Sequence, residues 1–438
     1  MTVIEQQPTE ISGGTAQKPA ANRPVVRLGW LDALRGIAAL LVAVHHFGLV
    51  EMFPGGKGFA DHFDLGIYAV MTFFLVSGYI VPASLERRGD VRGFWIGRIL
   101  RIYPLLIVVV VAALAILPRD YSAVPTVDVD HPVRAGIASL TLLQDLMNVP
   151  NGLGVLWTLS YEMVFYFFVT ALFVTGWHRR SSPISVGLAA LALLLGAAVP
   201  TQMITVDRGS TRNLILAAAI VMAMGLVGVL SGRTSLTRMG ALLLGGLGAV
   251  LLFGNSRAMF FESMMILATM FAGTAIYRAE QGQIDRLTAW LGCAFVLVAG
   301  VCTGWMYNHG DHALWKSWTA GWIAWSLPYF AAWLTFGVGM LLKNRRFPRV
   351  LTWLGAISYS VYVVHIPILM GVRWLAPAKN FPAHGAGKFI PFLIFLAAVL
   401  IVSQLTYRLV ELPGQNLGKR ITKRLALRDA EAKAKPTA

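Results

Sequence analysis

The sequence predicts an all-α protein: a polytopic transmembrane helix bundle of about 10–12 spans with both termini cytoplasmic. Three observations carry that prediction. Of 438 residues, 56% are hydrophobic and only 13% charged, whereas soluble domains carry about 25% charged residues. Apolar runs of about 20 residues, the length that crosses a hydrocarbon core, recur along the chain. The basic residues behind the net charge of +16 sit in short connections between those runs. That is the positive-inside pattern of a membrane protein, and it excludes a nucleic-acid-binding face. Cys293 and Cys302 share one apolar segment and read as packing residues, with neither a disulfide framework nor a metal site.

The elements follow in order. Residues 1–28 are polar and rich in Gly, Ala, Pro and Gln, and read as a disordered cytoplasmic tail without the layout of a signal peptide. Twelve apolar segments fall at about 30–50, 65–83, 99–118, 156–176, 184–200, 213–231, 238–254, 258–277, 288–305, 317–342, 352–372 and 387–410. Connections on one side carry Arg87, Arg88 and Arg92, then Arg179 and Arg180, then Lys343, Arg345 and Arg346; that side is predicted to be cytoplasmic. Residues 29–412 form the membrane unit. Residues 413–438 are a basic cytoplasmic tail suited to an anionic lipid surface. The segment 119–155, with Pro118 just before it and Pro125, Pro132 and Pro150 within it, reads as a long outer loop of functional character.

Polar residues inside these runs are the candidates for chemistry, because ionisable groups are expensive in lipid. The first span reads LDALRGIAALLVAVHHF. Arg35 and His46 are eleven residues apart and share a helix face, roughly 16 Å apart along the axis. Asp32 lies near that face; His45 is turned about 80° away. In the second span, FFLVSGYIV places Ser77 and Gly78 where helices could approach closely. In GRILRIYP, Arg98 and Arg101 are i, i+3 on one face, a forked pair suited to phosphate; ordinary positive-inside flanking is the bland alternative. LWTLSYEMVFYFF holds Glu162 with Tyr166 four residues on, a carboxylate that would pair with a cation, orient a histidine or move a proton. Trp157, Tyr161 and Tyr166 also fit an interfacial aromatic belt. ISYSVYVVHIPI carries Ser358, Tyr362 and His365 on one stripe, beside Tyr359; His365 reads equally as a hydrogen-bonded interior histidine. In QLTYRLVELP, Gln404, Arg408 and Glu411 share a face, and Arg408 with Glu411 suits a local ion pair. His309, Asp311 and His312 read as a solvated loop. Walker, HExxH and GxSxG patterns are absent.

Taken together and in order, the Arg35-to-His46 element, FFLVSGYI, RILRIYP, LWTLSYEMVFYFF, SYSVYVVHIPI and YRLVELP resemble the acyltransferase 3 family of integral membrane acyltransferases. The middle, about 180–340, contributes little to the resemblance. Tyr161 and Met163 flank Glu162 where many relatives have a second acidic residue, which argues against a paired-carboxylate mechanism. The resemblance implies a stand-alone form without the esterase-like domain of some relatives. It implies transfer of an acyl group, acetyl by default, from acyl-CoA as co-substrate, with no tightly bound cofactor. The implied acceptor is a hydroxyl of a carbohydrate or lipid-linked sugar, or of a secondary metabolite such as a macrolide. The implied setting is the bacterial inner membrane, as a multi-pass monomer or homodimer. His46 and Glu162 are then the catalytic candidates. Arg35, Arg98 and Arg101 are candidates for acyl-CoA. Asp32, Ser77, Trp157, Tyr166, Tyr362 and His365 are candidates for lining the acceptor site. A transporter or flippase is the rival class, since intramembrane charges also mark transport paths.

Overall fold

A computed structural model describes residues 29–117, 132–150, 152–309, 319, 321–375 and 389–434. All regular structure in them is helical. The 1–28 tail, Pro118, Pro125, Asp311 and His312 lie outside the described residues. Ten helices are long and apolar enough to cross a membrane, or eleven if a pair bent by 68° counts as one span. That number lies within the expected range of about 10–12; of the twelve apolar segments, the fifth falls short of a span. Its helix, Ser181–Leu195, has 15 residues, too few to span about 30 Å of hydrocarbon at 1.5 Å per residue. Within the supposed outer loop, Pro132–Thr141 is helical and Gln144–Met147 forms a 3-10 turn.

The helices that position the site are α1 (Gly29–Phe47), α3 (Leu65–Arg88), α4 (Val91–Ile116) and α6 (Trp157–Val174); a short α2 (Gly56–Ala60) and α5 (Pro132–Thr141) separate them in the chain. After α7 (Ser181–Leu195) come α8 (Arg208–Leu230), α9 (Thr234–Asn255), α10 (Phe260–Glu280), α11 (Arg286–Tyr307) and α12 (Trp322–Leu341). The bent pair is α13 (Arg349–Ala356) and α14 (Ser358–Leu375). Then α15 (Phe389–Thr406) runs through a π turn, Tyr407–Glu411, into α16 (Leu412–Ala434).

At the centre lies α10, whose spanning window is wholly enclosed by protein. Its seam against α3 is built from small residues. A Cβ on Gly78 would come within 1.9 Å of the Met270 carbonyl oxygen, and one on Gly273 within 2.5 Å of that of Leu75. Close backbone approach of this kind is how helices associate where lipid removes the hydrophobic drive. The seam also repairs a proline. Pro82 lies inside α3 and has no N–H for the carbonyl of Gly78, four residues back; the Thr274 hydroxyl donates to that carbonyl at 2.8 Å. A related device joins α16 to α4. Pro104 frees the Leu100 carbonyl, and Gly414 lies against it, so close that a Cβ would approach to 2.5 Å. FFLVSGYIV predicts a close approach at Ser77 and Gly78; the structure makes it at Gly78, against Met270 in the middle of the chain.

Candidate active site

The polar turn of α1 is held at the bend between α13 and α14. Gly355 sits where a Cβ would strike the Asp32 carbonyl at 2.1 Å, and Gly36 is equally tight against Leu354 and Gly355. On its other flank Trp30 packs edge-on against Tyr79 and Phe336, with ring centroids 5.6 and 5.4 Å apart. This lock sends Arg35 into the space between α3, α4, α6 and α14.

That space is two adjoining narrow compartments of about 50 and 60 Å³, and Arg35, Ser77, Leu159, Glu162 and Tyr359 border both. Arg98, Arg101 and Tyr166 complete the first; Phe73, Phe74, Thr158 and Tyr362 complete the second. Most of the polar lining therefore clusters at the arginine end, and aromatic rings dominate the other.

At the arginine end, Arg98 is fixed rather than free to seek head groups. Its guanidinium donates to Ser84 Oγ at 3.1 Å and to the Tyr166 hydroxyl at 3.4 Å. Its Cζ also lies over the rings of Tyr166 and Phe94, 4.8 and 5.1 Å from their centroids, a cation–π arrangement. The Tyr166 hydroxyl in turn donates to Glu162, as expected for an i, i+4 pair. The charged neighbours of Arg35 are Arg101, Glu162, Asp32 and Glu411. Glu411 is buried and accepts from Ser360 Oγ at 2.8 Å and from Gln415 Nε2 at 3.0 Å. The predicted Arg408–Glu411 ion pair does not form; the π turn resets the spacing on which that pairing relied, and carries Glu411 to the two arginines. Gln404 accepts instead from Trp353 Nε1 at 2.6 Å.

At the opposite end, His46 and His365 meet, ring centroids 5.2 Å apart. Tyr362 follows at 5.8 Å from His365. His46 Nδ1 lies 2.8 Å from the Val42 carbonyl, and His365 Nδ1 lies 3.1 Å from that of Val361. A carbonyl only accepts, so both Nδ1 atoms carry hydrogen and both Nε2 atoms are the basic ones. Tyr362 donates its hydroxyl to the Val155 carbonyl at 2.6 Å and touches Thr158. His45 turns away, its Nδ1 3.9 Å from the Asp64 carboxylate that caps α3.

The structure thus brings Arg35, Arg98, Arg101, Ser77, Glu162, Tyr166 and Tyr362 to one cavity, and His46 and His365 to each other beyond it. Asp32 contributes charge beside Arg35 but does not line the cavity. Trp157 packs on Phe74 and Tyr161, at centroid distances of 6.5 and 6.2 Å. Two readings are corrected. Glu162 keeps company with Arg35 and Tyr166, and the ionisable neighbours of His46 are His45, Asp64 and Arg373, so the carboxylate does not orient the imidazole. Tyr161 and Tyr166 are buried, each 2% exposed, and so form no interfacial belt; Tyr161 hydrogen-bonds Ser263 at 2.7 Å. Sequence reasoning overlooked Ser84 as the anchor of Arg98, and Gly36 with Gly355 as the lock on α1. The first pair lies on different helices, and the second consists of residues with no side chain to read. His309 stacks on Trp305, with centroids 5.7 Å apart; among the described residues no cluster of three potential ligands could hold a metal.

A membrane-helix bundle with an arginine-lined cavity leading toward paired imidazoles is the class this architecture defines. The chain belongs to acyltransferase family 3: the model described as "Acyltransferase domain" matches residues 28–408. It is 32% identical over 150 residues to "Acyltransferase MdmB" of Streptomyces mycarofaciens, covering 32% of this chain and 38% of that protein. It is 29% identical over 164 residues to proteins named "Putative O-acetyltransferase" in Staphylococcus aureus strains COL and MSSA476, covering 33% of this chain and 24% of each. The aligned stretch therefore spans well under half the length of these relatives. No solved structure matches the chain.

Proposed function

We propose that the protein is a membrane-embedded O-acyltransferase. It moves an acyl group, acetyl by default, from cytoplasmic acyl-CoA to a hydroxyl of a carbohydrate or related acceptor at the other face of a bacterial inner membrane. The observation that carries this reading is the order of groups along one path: Arg98 and Arg101, then Arg35 and Glu162, then Tyr362, then His365 and His46. In this reading the guanidiniums hold the phosphates of the donor, because a planar fork matches phosphate geometry. An elongated space with arginines at one end and aromatic rings at the other suits an extended thioester arm. Arg35 and His46 lie roughly 16 Å apart along α1, so the arm bridges two depths of the membrane.

His46 Nε2 then takes the proton of the acceptor hydroxyl as the new O–C bond forms and the C–S bond breaks. The proton taken by His46 ends on the released sulfur, so coenzyme A departs as the thiol. Glu162 holds Tyr166 and balances Arg35 on the donor side. The MdmB name favours no acceptor, and a secondary-metabolite hydroxyl would use the same steps.

The test is ester formation from labelled acetyl-CoA by membranes containing the wild-type or the His46→Ala protein. The variant is expected to lose on the order of 10²- to 10⁴-fold in rate, the usual range for a general base. A rate within about threefold of wild type, against that range, would remove His46 from this role. Translocation of an acceptor without esterification by the wild type would replace the enzyme reading altogether.

A further inference from the structure

His365 is the group at this site that the acyl-transfer steps leave unused. It is fully buried, and its Nε2 has no hydrogen-bond partner. A bare acceptor sealed inside a protein costs about 1–3 kcal/mol, and an orphan of this kind in a folded structure asks for a donor that is present only at another stage. Its Nδ1 cannot relieve the deficit, being committed to Val361. The imidazole that packs against it is that of His46, 5.2 Å away. In the resting state that ring also has a bare Nε2, because its Nδ1 hydrogen goes to Val42. Two basic nitrogens cannot bond each other. A protonated His46, unlike the resting ring, has an Nε2 hydrogen to donate.

Position supplies the second half. His45, on the far side of His46 at 5.2 Å, is partly exposed. Tyr362, on the other side of His365 at 5.8 Å, borders the compartment that leads to the arginines. The rings run in the order His45, His46, His365, Tyr362, from the open end toward the donor cavity. His365 therefore stands between the imidazole that would meet the acceptor and the channel from which the thiol departs. The other charged groups facing this pair are Asp64 and Arg373, and both are neighbours of His46.

We propose that His365 is a proton-relay residue that returns the acceptor's proton to the departing thiolate. The proposal rests on the acyltransferase reading. His46 Nε2 accepts the hydroxyl proton as the ester O–C bond forms and the C–S bond breaks. The imidazolium passes that proton to His365 Nε2. His365 then gives the same proton to the sulfur, so coenzyme A leaves as neutral thiol and both rings return to their resting state. No oxidant or other co-reactant is needed.

The experiment compares wild type with His365→Gln in lipid nanodiscs, using acetyl-CoA and the acetyl thioester of 4-nitrothiophenol as donors with the same hydroxyl acceptor. Glutamine fills a similar space and hydrogen-bonds but does not take up a proton. With acetyl-CoA the variant is expected to lose about 10²-fold in kcat, in the range of a lost proton-transfer group, with KM for acetyl-CoA unchanged. With the nitrothiophenyl donor, whose thiolate leaves without a proton, the variant should stay within about threefold of wild type instead of losing that factor. Recovery with this donor also proves that the variant folds. Equal losses with both donors would assign His365 a structural role and overturn the relay, as would full activity with acetyl-CoA. Wild type that forms no ester with either donor would overturn the underlying acyltransferase reading instead.

Discussion

The site-bearing helices, α1, α3, α4, α6 and α14, and the middle of the chain, α7 to α12, solve opposite problems in the same membrane. The first set keeps polar groups apart and partly unpaired: an arginine pair, a carboxylate, and two imidazoles with bare Nε2 atoms. The second packs apolar side chains around α10, which among the described residues is the most enclosed spanning helix. In α10 even the charges are spent on structure: Arg278, 3% exposed, pairs with Glu86, and Glu280 takes hydrogen bonds from Tyr79 and Lys343. The contrast teaches that a buried charge in this fold is informative only together with its partner. Arg278 has a dedicated carboxylate, whereas Arg35 shares its surroundings with another arginine and a cavity.

The contrast is broken most sharply at the α3–α10 seam. Gly273→Leu should abolish recovery of folded protein, because the new side chain would enter the backbone of α3 at Leu75; size-exclusion profiles in detergent read this directly. A monodisperse, active variant would show that the middle tolerates looseness after all. Arg101→Ala, on the site side, should leave the fold intact and raise KM for acyl-CoA by about 10- to 100-fold, the equivalent of one charge-assisted hydrogen bond. Initial-rate kinetics with donor and acceptor varied separately test it, and an unchanged donor KM removes the phosphate role. His45→Ala should change kcat by less than about threefold, far short of a general base, since its Nδ1 faces Asp64 and its ring only abuts His46 edge-on. The smallest effect is expected at Asp207, which caps α8 by accepting from the Gly209 and Ser210 amides. Those bonds favour its ionised form and lower its pKa. The stability it adds is therefore present above the unfolded carboxylate pKa and fades as pH falls through the lower folded value. Asp207→Asn should leave thermal stability at low pH unchanged and lower it slightly near neutrality.

Much of the site could be read from the chain because lipid makes polarity conspicuous. Arg35, Arg98, Arg101, Glu162, Tyr362 and His365 stand out of apolar runs, and helical spacing placed most of them on usable faces. The angle between His46 and its neighbour His45 could also be read from spacing, and His46 is the one that lies against His365. Glu411 could be seen but not placed, since a π turn has no signature in residue spacing. The glycine contacts were the least legible. Gly36, Gly355 and Gly273 look like any glycine in a hydrophobic run, and what each touches lies far away in sequence. The apolar segment at Ser181–Leu195 falls short of a span for a related reason: apolar composition does not say how early a helix stops.

The bond from Thr274 to the Gly78 carbonyl makes two distant positions epistatic. With Pro82 in place, Thr274→Val strands a backbone oxygen inside the bundle, at a cost of about 1–3 kcal/mol. With alanine at 82, the helix supplies its own N–H to that oxygen and the threonine becomes dispensable. A lineage can therefore lose the proline and then the threonine, but not in the reverse order. Related chains should keep Thr274 wherever they keep Pro82.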